Sequence, residues 1–301
     1  MKHFLSIEQL SGAEIEHLIT RAADLKLNRK SSLQVLTGQT WALIFNKSST
    51  RTRVSFEVGI RELGGSPMFL SGAEMQLGRG EPVKDTARVL GRMVDGAIIR
   101  TFAQQDVVEF SEYSKLPTIN ALTDEEHPCQ ILADLQTMQE RLGGWKGKRV
   151  CFLGDGDCNV ARSWIWAAAR LGFELVIGAP QAFQPAESFM SRVPGDFIRV
   201  EADASKAVAG CDVVYTDVWV SMGKEAESAE RIELLRPYQI NTDLMAKANS
   251  GAIVMHCLPA YRGKEITNEV MEAGADVIFD EAENRLHAQK AVIVELMRDR
   301  A

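Results

Sequence analysis

Short apolar runs alternate with stretches of helical periodicity along almost the whole chain. The runs predict strands at residues 41–45, 96–100, 117–120, 149–154, 175–178, 197–200, 213–215, 253–255 and 277–279. Such alternation is typical of parallel sheets wrapped by helices, because a parallel strand needs a crossover before its neighbour begins. The chain is therefore predicted to be an α/β protein.

A glycine-rich break, Gly143-Gly-Trp-Lys-Gly147, divides the predicted strands into two groups. A chain of 301 residues is long enough for two domains, each with its own core. We predict two doubly wound domains, residues 1–140 and 141–283, each a parallel sheet flanked by helices, with a last helix at 284–301. The catalytic cleft is predicted to lie between them.

In doubly wound sheets, ligands bind outside the carboxyl ends of the strands. Five side chains that can bind ligands fall at or just beyond such ends in the predicted elements. They are Arg51, Arg100, Asn159, Asp217 and Cys257. We therefore expect these side chains to line the ligand sites.

A loop rich in hydroxyl groups and arginine, Ser49-Thr-Arg-Thr-Arg53, follows the first predicted strand and opens a helix. Backbone N–H groups and the positive end of the helix dipole meet at a helix start, which favours anions. The hydroxyl groups and the planar guanidinium of Arg51 match phosphate oxygens. The loop predicts a phosphate site, and the alternative is a helix cap with solvated arginines. The apolar side of the helix is predicted to carry Val54, Val58 and Leu63.

Charge and cysteine content limit the classes of partner and compartment. The net charge is −7 and there is no run of lysines or arginines, so nucleic acid and anionic membranes are not expected partners. The five cysteines are scattered and lack a Cys-x-x-Cys pair, which favours a reducing compartment over a disulfide framework or a structural zinc site. The first residues lack the long apolar core of a signal peptide. We expect a cytoplasmic protein, and a removed transit peptide is the alternative.

The turn from Gly154 to Asn159 joins a predicted strand to a predicted helix. It resembles the first turn of a dinucleotide-binding unit, in which glycines let the backbone approach a pyrophosphate. The third glycine of that fingerprint is missing here. The turn therefore does not favour an NAD site.

Five segments together resemble the motifs of the aspartate and ornithine carbamoyltransferase family. The first, Ser49-Thr-Arg-Thr-Arg53, is similar to the carbamoyl-phosphate signature of that family. The other four are His127-Pro-Cys-Gln130, Asp217-Val-Trp-Val-Ser-Met-Gly223, His256-Cys-Leu-Pro-Ala260 and Glu283-Asn-Arg-Leu-His287. They stand in the order and at the spacing of the family, over essentially the whole chain. The segments that begin at Asp217 and His256 resemble the ornithine branch.

The resemblance implies transfer of the carbamoyl group of carbamoyl phosphate to the δ-amine of L-ornithine, which gives L-citrulline and phosphate. It implies direct attack by the amine, no metal and no organic cofactor, and a role in arginine biosynthesis. It also implies a homotrimer, or a multiple of trimers, with shared active sites. Residues 1–140 would bind carbamoyl phosphate, with helix 284–301 packed back on them, and residues 141–283 would bind ornithine.

The resemblance also assigns residues to these roles. The carbamoyl-phosphate set is Ser49, Thr50, Arg51, Thr52, Gln76, Arg100, His127, Pro128, Cys129, Gln130, Cys257, Leu258 and Arg285. Within this set, Gln76 would reach the site of a neighbouring subunit. The ornithine set is Asn159, Asp217, Ser221 and Met222. The catalytic residues would be Arg51, Arg100, His127, Asp217 and Cys257.

Three of the catalytic residues have specific implied tasks. His127, as a neutral N–H donor, would stabilise the developing oxyanion, an effect worth about 3 kcal/mol per donor. Asp217 would hold the charged δ-amine and then favour its loss of a proton. Cys257 would lie beside the reacting amine, and its alternatives are a small buried residue or an acyl-cysteine nucleophile.

One residue departs from the pattern of the family. The family has an asparagine pair in the turn after Gly154, and this chain has Cys158-Asn159. Asn159 is carried over and Cys158 stays unassigned. Two alternative functions remain: a carbamoyltransferase for putrescine or an acylated ornithine, and a non-catalytic relative that binds carbamoyl phosphate.

Overall fold

The computed structural model describes residues 1–29, 33–72, 80–220 and 228–298. The chain divides into two compact units. Unit 1 consists of Met1–Gln136 and Glu283–Ala301, and unit 2 consists of Thr137–Ala282. Each unit contains one parallel sheet flanked by helices, which confirms the predicted α/β class.

The sheet of unit 1 has four strands, arranged in the order β2-β1-β3-β4. In chain order they are β1 Thr40–Phe45, β2 Ser66–Ser71, β3 Gly96–Arg100 and β4 Thr118–Leu122. β1 and β3 are almost entirely buried, as expected for central strands that are covered on both faces. Their register pairs Phe45 with Arg100, so the carboxyl ends of these two strands lie side by side.

Within the described residues before the glycine-rich break, four helices lie wholly in unit 1 and a fifth starts there. They are α1 Gly12–Leu27, α2 Thr50–Glu62, α3 Val83–Leu90, α4 Gln104–Ser114 and α5 Pro128–Leu142. α1 starts at a capping box, in which the side chains of Ser11 and Glu14 each accept the backbone N–H of the other. α5 begins in unit 1 and ends in unit 2.

The sheet of unit 2 has five strands, arranged in the order β7-β6-β5-β8-β9. In chain order they are β5 Arg149–Leu153, β6 Glu174–Gly178, β7 Ile198–Glu201, β8 Val213–Thr216 and β9 Ile253–His256. The chain runs outward from β5 in one direction and then returns to its other side, so a topological switch point lies between β5 and β8. Thr216 pairs with His256, which brings the residues after β8 and β9 next to each other.

Most of the described helices of unit 2 lie in the crossovers between strands, and the last two follow β9. In chain order these helices are α6 Asn159–Leu171, α7 Glu187–Met190, α8 Ala204–Val208, α9 Ser228–Leu235, α10 Thr242–Met245, α11 Asn268–Ala273 and α12 Ala275–Met297. α12 begins in unit 2 and ends in unit 1. Across the four described ranges, no helix combines the length and the apolar character needed to cross a lipid bilayer.

The strand predicted at 277–279 is wrong, because these residues belong to α12. In a helix, consecutive side chains point in different directions, and the burial follows that rule: Ile278 is fully buried while Phe279 is 54% exposed. Asp280 and Glu281 follow without a turn residue, so nothing ends the helix there. The last helix therefore begins at Ala275 and not at 284.

The sequence analysis also missed β2, and its apolar side of α2 is only partly correct, since Leu63 is fully buried but Val54 is exposed. β2 contains Pro67, which argues against a strand in the centre of a sheet but is tolerated at an edge, where β2 lies. In α2, Val54 is 55% exposed, and the buried face carries small and polar side chains with Phe56 and Ile60. The small face lets the last helix approach, since a Cβ added at Gly59 would lie 3.2 Å from Cγ of Lys290.

Candidate active site

The loop after β1 is held between two strand ends. The backbone N–H of Asn46 donates to the carbonyl of Arg100 at 2.8 Å, and its side-chain amide donates to the hydroxyl of Thr101 at 2.9 Å. Ser49 caps α2, because its hydroxyl oxygen accepts the N–H of Thr52 at 3.3 Å. The loop is thus an ordered helix start, which is the local geometry that favours anions.

The helix cap and the phosphate site are compatible in this loop. Capping uses an oxygen lone pair of Ser49 and leaves its O–H able to donate to a ligand. Thr50 and Arg51 occupy the first two positions of α2, and Arg51 is partly exposed. The two interpretations of the sequence are therefore not exclusive.

Three nitrogen-bearing side chains gather in unit 1. Arg100, His127 and Arg285 are only 6%, 5% and 3% exposed. The guanidinium of Arg285 donates to the hydroxyl of Thr52 at 2.5 Å. Burial and the positive charges of Arg285 and Arg100 lower the pKa of His127 well below its usual range. His127 is therefore neutral near pH 7, which is the state that the implied oxyanion role requires.

The three residues after His127 differ in burial, protonation and hydrogen bonding. Pro128 is the first residue of α5, a position that suits proline. Burial raises the pKa of the Cys129 thiol to about 12, and its sulfur donates to a backbone carbonyl of β4 at 3.4 Å. The amide of Gln130 donates to the carboxylate of Asp134 at 2.8 Å. The Cys129 thiol is thus a buried, protonated group, and Gln130 is an oriented amide.

Lys47 is a residue that the sequence analysis missed. It lies in the same loop as Ser49, is 8% exposed, and forms an ion pair with Asp124. Its ammonium also lies 4.3 Å from the centroid of the Phe102 ring. Its position, two residues before the hydroxyl-rich segment, is the sequence feature that could have drawn attention to it.

In unit 2, Asp217 and Cys257 follow the paired strands β8 and β9. The Sγ of Cys257 donates to Oδ1 of Asp217 at 2.9 Å, and the same oxygen accepts the N–H of Val218 at 2.7 Å. Burial raises the pKa of Asp217, although His256, the thiol and the N–H of Val218 act in the opposite direction. Cys257 is therefore held as a hydrogen-bond donor beside a buried carboxyl group.

Asn159 is the first residue of α6, and Cys158 is its N-cap. The Sγ of Cys158 accepts the N–H of Ala161 at 3.5 Å, where a hydroxyl or carboxyl oxygen usually accepts. Burial and the nearby carboxyl groups of Asp155 and Asp217 raise the pKa of this thiol well above its usual range. Cys158, which the sequence left unassigned, thus takes the capping position beside Asn159.

Hydrogen bonds from residues that the sequence analysis did not assign to the site hold the loop at Cys257 and Leu258. Nδ1 of His256 accepts the N–H of Leu258 at 2.9 Å, and Nε2 lies 3.2 Å from Oε1 of Glu265. The proton of the neutral ring therefore lies on Nε2 and is donated to Glu265. Glu281 accepts the backbone N–H of His256 at 2.9 Å. These contacts hold Leu258 at a φ of +56°, which costs a non-glycine residue roughly 1–2 kcal/mol.

Three residues of this region could hold a metal ion. Asp217, His256 and Cys257 each offer a ligand atom, and these atoms lie within 4.8 Å of one another. Both ring nitrogens of His256 already have partners, namely the N–H of Leu258 and the carboxyl group of Glu265. An ion at this place would have to displace one of these hydrogen bonds.

The described candidates form two sets, one in each unit. Unit 1 holds Ser49, Thr50, Arg51, Thr52, Arg100, His127, Pro128, Cys129, Gln130 and Arg285, and unit 2 holds Asn159, Asp217, Cys257 and Leu258. Three further candidates lie outside the described residues: Gln76, Ser221 and Met222.

Two family models match the chain, one in each half. The model of the aspartate/ornithine carbamoyltransferase carbamoyl-P binding domain matches residues 2–140. The model of the aspartate/ornithine carbamoyltransferase Asp/Orn binding domain matches residues 146–296. Both descriptions agree with the resemblance that the five sequence motifs carry.

Individual proteins are similar over nearly the whole chain. An ornithine carbamoyltransferase from Akkermansia muciniphila is 58% identical over 299 residues, which cover 98% of each protein. The crystal structure of an anabolic ornithine carbamoyltransferase from Campylobacter jejuni has a TM-score of 0.93 at 43% identity, covering 98% of this chain and 99% of that one. The ornithine carbamoyltransferase from Pyrococcus furiosus has a TM-score of 0.93 at 42% identity, covering 98% and 97%. The chain therefore belongs to the aspartate/ornithine carbamoyltransferase family.

Proposed function

We propose that the protein transfers the carbamoyl group of carbamoyl phosphate to the δ-amine of L-ornithine, which gives L-citrulline and phosphate. Membership of the family supports carbamoyl transfer. The choice of acceptor rests on the contact between Asp217 and Cys257 in unit 2. A buried carboxyl group with a thiol beside it suits an amine that arrives as an ammonium and reacts as a neutral nucleophile.

The charges near this contact favour a diamino acid over aspartate. The carboxyl groups of Glu265 and Glu281 both hold His256, the residue before Cys257. Aspartate would bring a second carboxylate, which needs basic side chains around it. Ornithine brings a second ammonium, which acidic groups stabilise.

Unit 1 supplies the groups that carbamoyl phosphate needs. The N–H groups at the start of α2 and the guanidinium groups of Arg51 and Arg100 bind the phosphate oxygens in this proposal. Arg285 orients the hydroxyl of Thr52 toward the same ligand. The neutral ring of His127 donates to the carbonyl oxygen and stabilises the oxyanion that forms during attack.

The reaction then follows from these contacts. The δ-nitrogen attacks the carbonyl carbon, and the carbonyl electrons move onto the oxygen beside His127. The electron pair on that oxygen then re-forms the C=O bond while the bond from the carbonyl carbon to the bridging phosphate oxygen breaks, and phosphate leaves with the electrons of the broken bond. The ornithine nitrogen loses two protons in all, one from the ammonium before the attack and one after it, and Asp217 accepts each in turn and passes it to solvent. Arg51 and Arg100 stabilise the charge that grows on the leaving phosphate.

The proposal assigns the main contacts of one substrate to each half of the chain, and Cys257 and Leu258 of unit 2 also contact the carbamoyl group. Residues 1–140 with helix 284–301 bind carbamoyl phosphate, and residues 141–283 bind ornithine. The side chains assigned to bind the phosphate all belong to unit 1, so we expect carbamoyl phosphate to bind first and ornithine second. Initial-rate kinetics should give intersecting double-reciprocal lines. Parallel lines, or a trapped carbamoyl group on Cys257, would contradict direct transfer.

A colour assay for ureido products tests the acceptor directly. Purified protein is supplied with carbamoyl phosphate and, in turn, L-ornithine, L-aspartate, putrescine or N-acetyl-L-ornithine. We expect kcat/KM for ornithine to exceed the others by on the order of a hundredfold or more, because a site built for buried polar contacts rejects ligands that leave them unpaired. A larger kcat/KM for another amine would change the assigned acceptor. No product with any amine would indicate a non-catalytic relative.

We also propose a cyclic homotrimer in which Gln76 serves the site of the neighbouring subunit. A variant altered at Gln76 and a variant altered at Arg285 would each be inactive alone. After the two are mixed in equal amounts and refolded together, random closed rings should recover about a quarter of full activity. Failure to recover activity in re-formed trimers would show that Gln76 does not act across subunits.

The proposed setting is the cytoplasm, with a role in arginine biosynthesis. All five cysteines are free thiols, as expected for a reducing compartment. Expression in an arginine auxotroph that lacks ornithine carbamoylation should restore growth without arginine. Growth that still requires arginine, despite active protein, would argue against this role.

A further inference from the structure

The two loops that carry the proposed ornithine residues meet at one side chain. The loop after β5 ends at Asn159, and the loop after β8 begins at Asp217. Arg231, in α9, contacts both loops and is 5% exposed. It belongs to none of the five motifs, and neither the reaction nor the ligand contacts described above use it.

The guanidinium of Arg231 donates a hydrogen bond to each loop. Nε donates to the carbonyl of Trp219 at 2.9 Å, and Nη2 donates to Oδ2 of Asp155 at 2.5 Å. The guanidinium also lies 4.6 Å from the centroid of the Phe183 ring. A planar fork can reach two acceptors in fixed directions while it stacks on a ring, which an ammonium group cannot do.

Asp155 continues the connection toward Asn159. Its Oδ1 accepts the N–H of Asp157 at 3.1 Å, and its backbone carbonyl accepts the N–H of Cys158 at 3.3 Å. Cys158 is the N-cap of α6, and Asn159 is the first residue of that helix. The orientation of Asp155 therefore sets the start of the helix that presents Asn159.

Trp219 continues the connection toward Asp217, two residues earlier. Its side chain is 2% exposed and lies against Gly154, where an added Cβ would be 3.5 Å from two ring atoms. Gly154 has a φ of +124°, which few residues other than glycine adopt. The indole thus packs directly on the first loop, while Arg231 holds the backbone of the second.

Stability alone does not explain this ion pair. The side chains of Arg231 and Asp155 are 6% and 7% exposed. Both charges have lost their water, and apolar residues of similar volume stabilise a fold as well or better than such a pair. A buried ion pair that joins two loops is better explained by the orientation it imposes on them.

We propose that Arg231, acting through Asp155 and Trp219, is a positioning residue for ornithine. It holds Asn159 and Asp217 at the separation that the amino acid requires, and it does not touch the substrate. This inference rests on the proposed function, which assigns those two residues to ornithine. Carbamoyl phosphate, which unit 1 binds, should be unaffected by the loss of this contact.

Steady-state kinetics of Arg231→Lys test the proposal. The lysine keeps the charge and loses the second hydrogen bond. We expect the KM for ornithine to rise roughly thirtyfold, the size of loss expected when buried polar contacts to a ligand are left poorly paired. The KM for carbamoyl phosphate should stay within about twofold of wild type. Arg236→Lys is the matched control, since Arg236 pairs with Glu233 on the surface and is 65% exposed.

A second variant, Asp155→Asn, alters the other partner of the same ion pair. It should raise the KM for ornithine in the same way, and the double variant with Arg231→Lys should be no worse than the poorer single variant, because the two act through one contact. Fully additive effects would overturn the proposal. So would an unchanged KM for ornithine, or a lower kcat with both KM values unchanged, which would indicate only a loss of folded protein.

Phe183→Leu keeps the proposal testable if the charged variants fail to fold. Phe183 is only partly buried, and the substitution removes the ring beside the guanidinium. The KM for ornithine should rise about threefold, in line with the loss of a cation–π contact. An unchanged KM in soluble protein would count against the role of Arg231. Citrulline formation by wild type in the same assay reports separately on the proposed function.

Discussion

The site residues of unit 1 and those of unit 2 differ in the charges fixed around them, although burial favours the neutral form of a side chain in both units. In unit 1, burial lowers the pKa of His127, and in unit 2 it raises the pKa of Asp217. Both shifts favour the neutral form of the side chain. What differs is the charge that stays fixed nearby, since Arg100 and Arg285 surround His127 and cannot lose their protons.

This difference matches what each substrate does during carbamoyl transfer. The phosphate group is anionic before and after the reaction, and arginines offer it a permanent positive charge. The amine must change from ammonium to neutral nucleophile, and a carboxyl group such as Asp217 can change its own charge with it. Permanent charge in unit 1 and adjustable charge in unit 2 are therefore two solutions to two different requirements.

The largest predicted effect comes from weakening the permanent charge of unit 1. Arg51→Lys keeps the charge and loses the planar fork. We expect turnover to fall by on the order of a hundredfold or more, because the fork acts on charge that grows in the transition state. Arg61→Lys, on the exposed side of the same helix, is the control and should be near wild type. Near-normal turnover of Arg51→Lys would mean that the loop is only a helix cap.

The next effect concerns the adjustable charge of unit 2. Wild-type kcat/KM should rise with pH on the acid side, because both the amine and Asp217 must lose a proton and burial raises the pKa of Asp217. Asp217→Asn should lose roughly thirtyfold near pH 7, as expected for truncation of one partner in a charge pair. It should also alter the acid limb of the pH profile. A wild-type rate that is flat from about pH 6 to 9 would remove the support for this role.

A smaller effect is expected at the contact between Thr52 and Arg285. Thr52→Val keeps the volume of a fully buried side chain and removes the hydroxyl that Arg285 contacts. The KM for carbamoyl phosphate should rise about tenfold, since a hydrogen bond to a charged group is lost. Ser55→Ala is the control, because that hydroxyl only donates to a backbone carbonyl of its own helix. Equal effects of both variants would place the Thr52 hydroxyl outside the site.

The last predicted effect is on stability and not on activity, and it concerns a second buried acid, Glu126 in unit 1. Its carboxylate accepts the N–H of Ile7 at 2.8 Å, and burial raises its pKa from 4.5 to about 8. The native state therefore binds a proton more tightly than the unfolded state, so Glu126 contributes full stability below pH 4.5 and loses this contribution as the pH rises to about 8. Relative to Glu126→Gln, wild type should lose up to about 1.4 kcal/mol per pH unit in that window. Parallel melting temperatures of the two proteins from pH 5 to 8 would contradict the raised pKa.

The sequence predicted the α/β class and the candidate residues at strand ends, because both follow from local patterns. Strand runs show as apolar segments, and Arg100, Asp217 and Cys257 stand directly at their carboxyl ends. The sequence did not predict elements whose residues are acceptable only at a particular place in the sheet. β2 is tolerated with Pro67 because it is an edge strand, and the sheet order is a tertiary property.

Other failures arise from contacts between segments far apart in sequence. Arg231 and Asp155 are separated by 76 residues, and Arg285 and Thr52 by 233. The pattern of apolar residues within one segment carries no information about which distant residue a side chain will contact. The exposed position of Val54 likewise follows from the close approach of Lys290 to the opposite face at Gly59, where apolar periodicity gave the wrong answer.

The most direct test of the difference between the two units is the affinity for carbamoyl phosphate without an acceptor. Isothermal titration would compare wild type, Arg51→Lys and Asp217→Asn. We expect Arg51→Lys to bind at least about tenfold more weakly and Asp217→Asn to bind within about twofold of wild type, because the permanent charge that holds the phosphate belongs to unit 1. If Asp217→Asn weakened carbamoyl phosphate binding as much as Arg51→Lys does, the assignment of one substrate to each unit would be wrong.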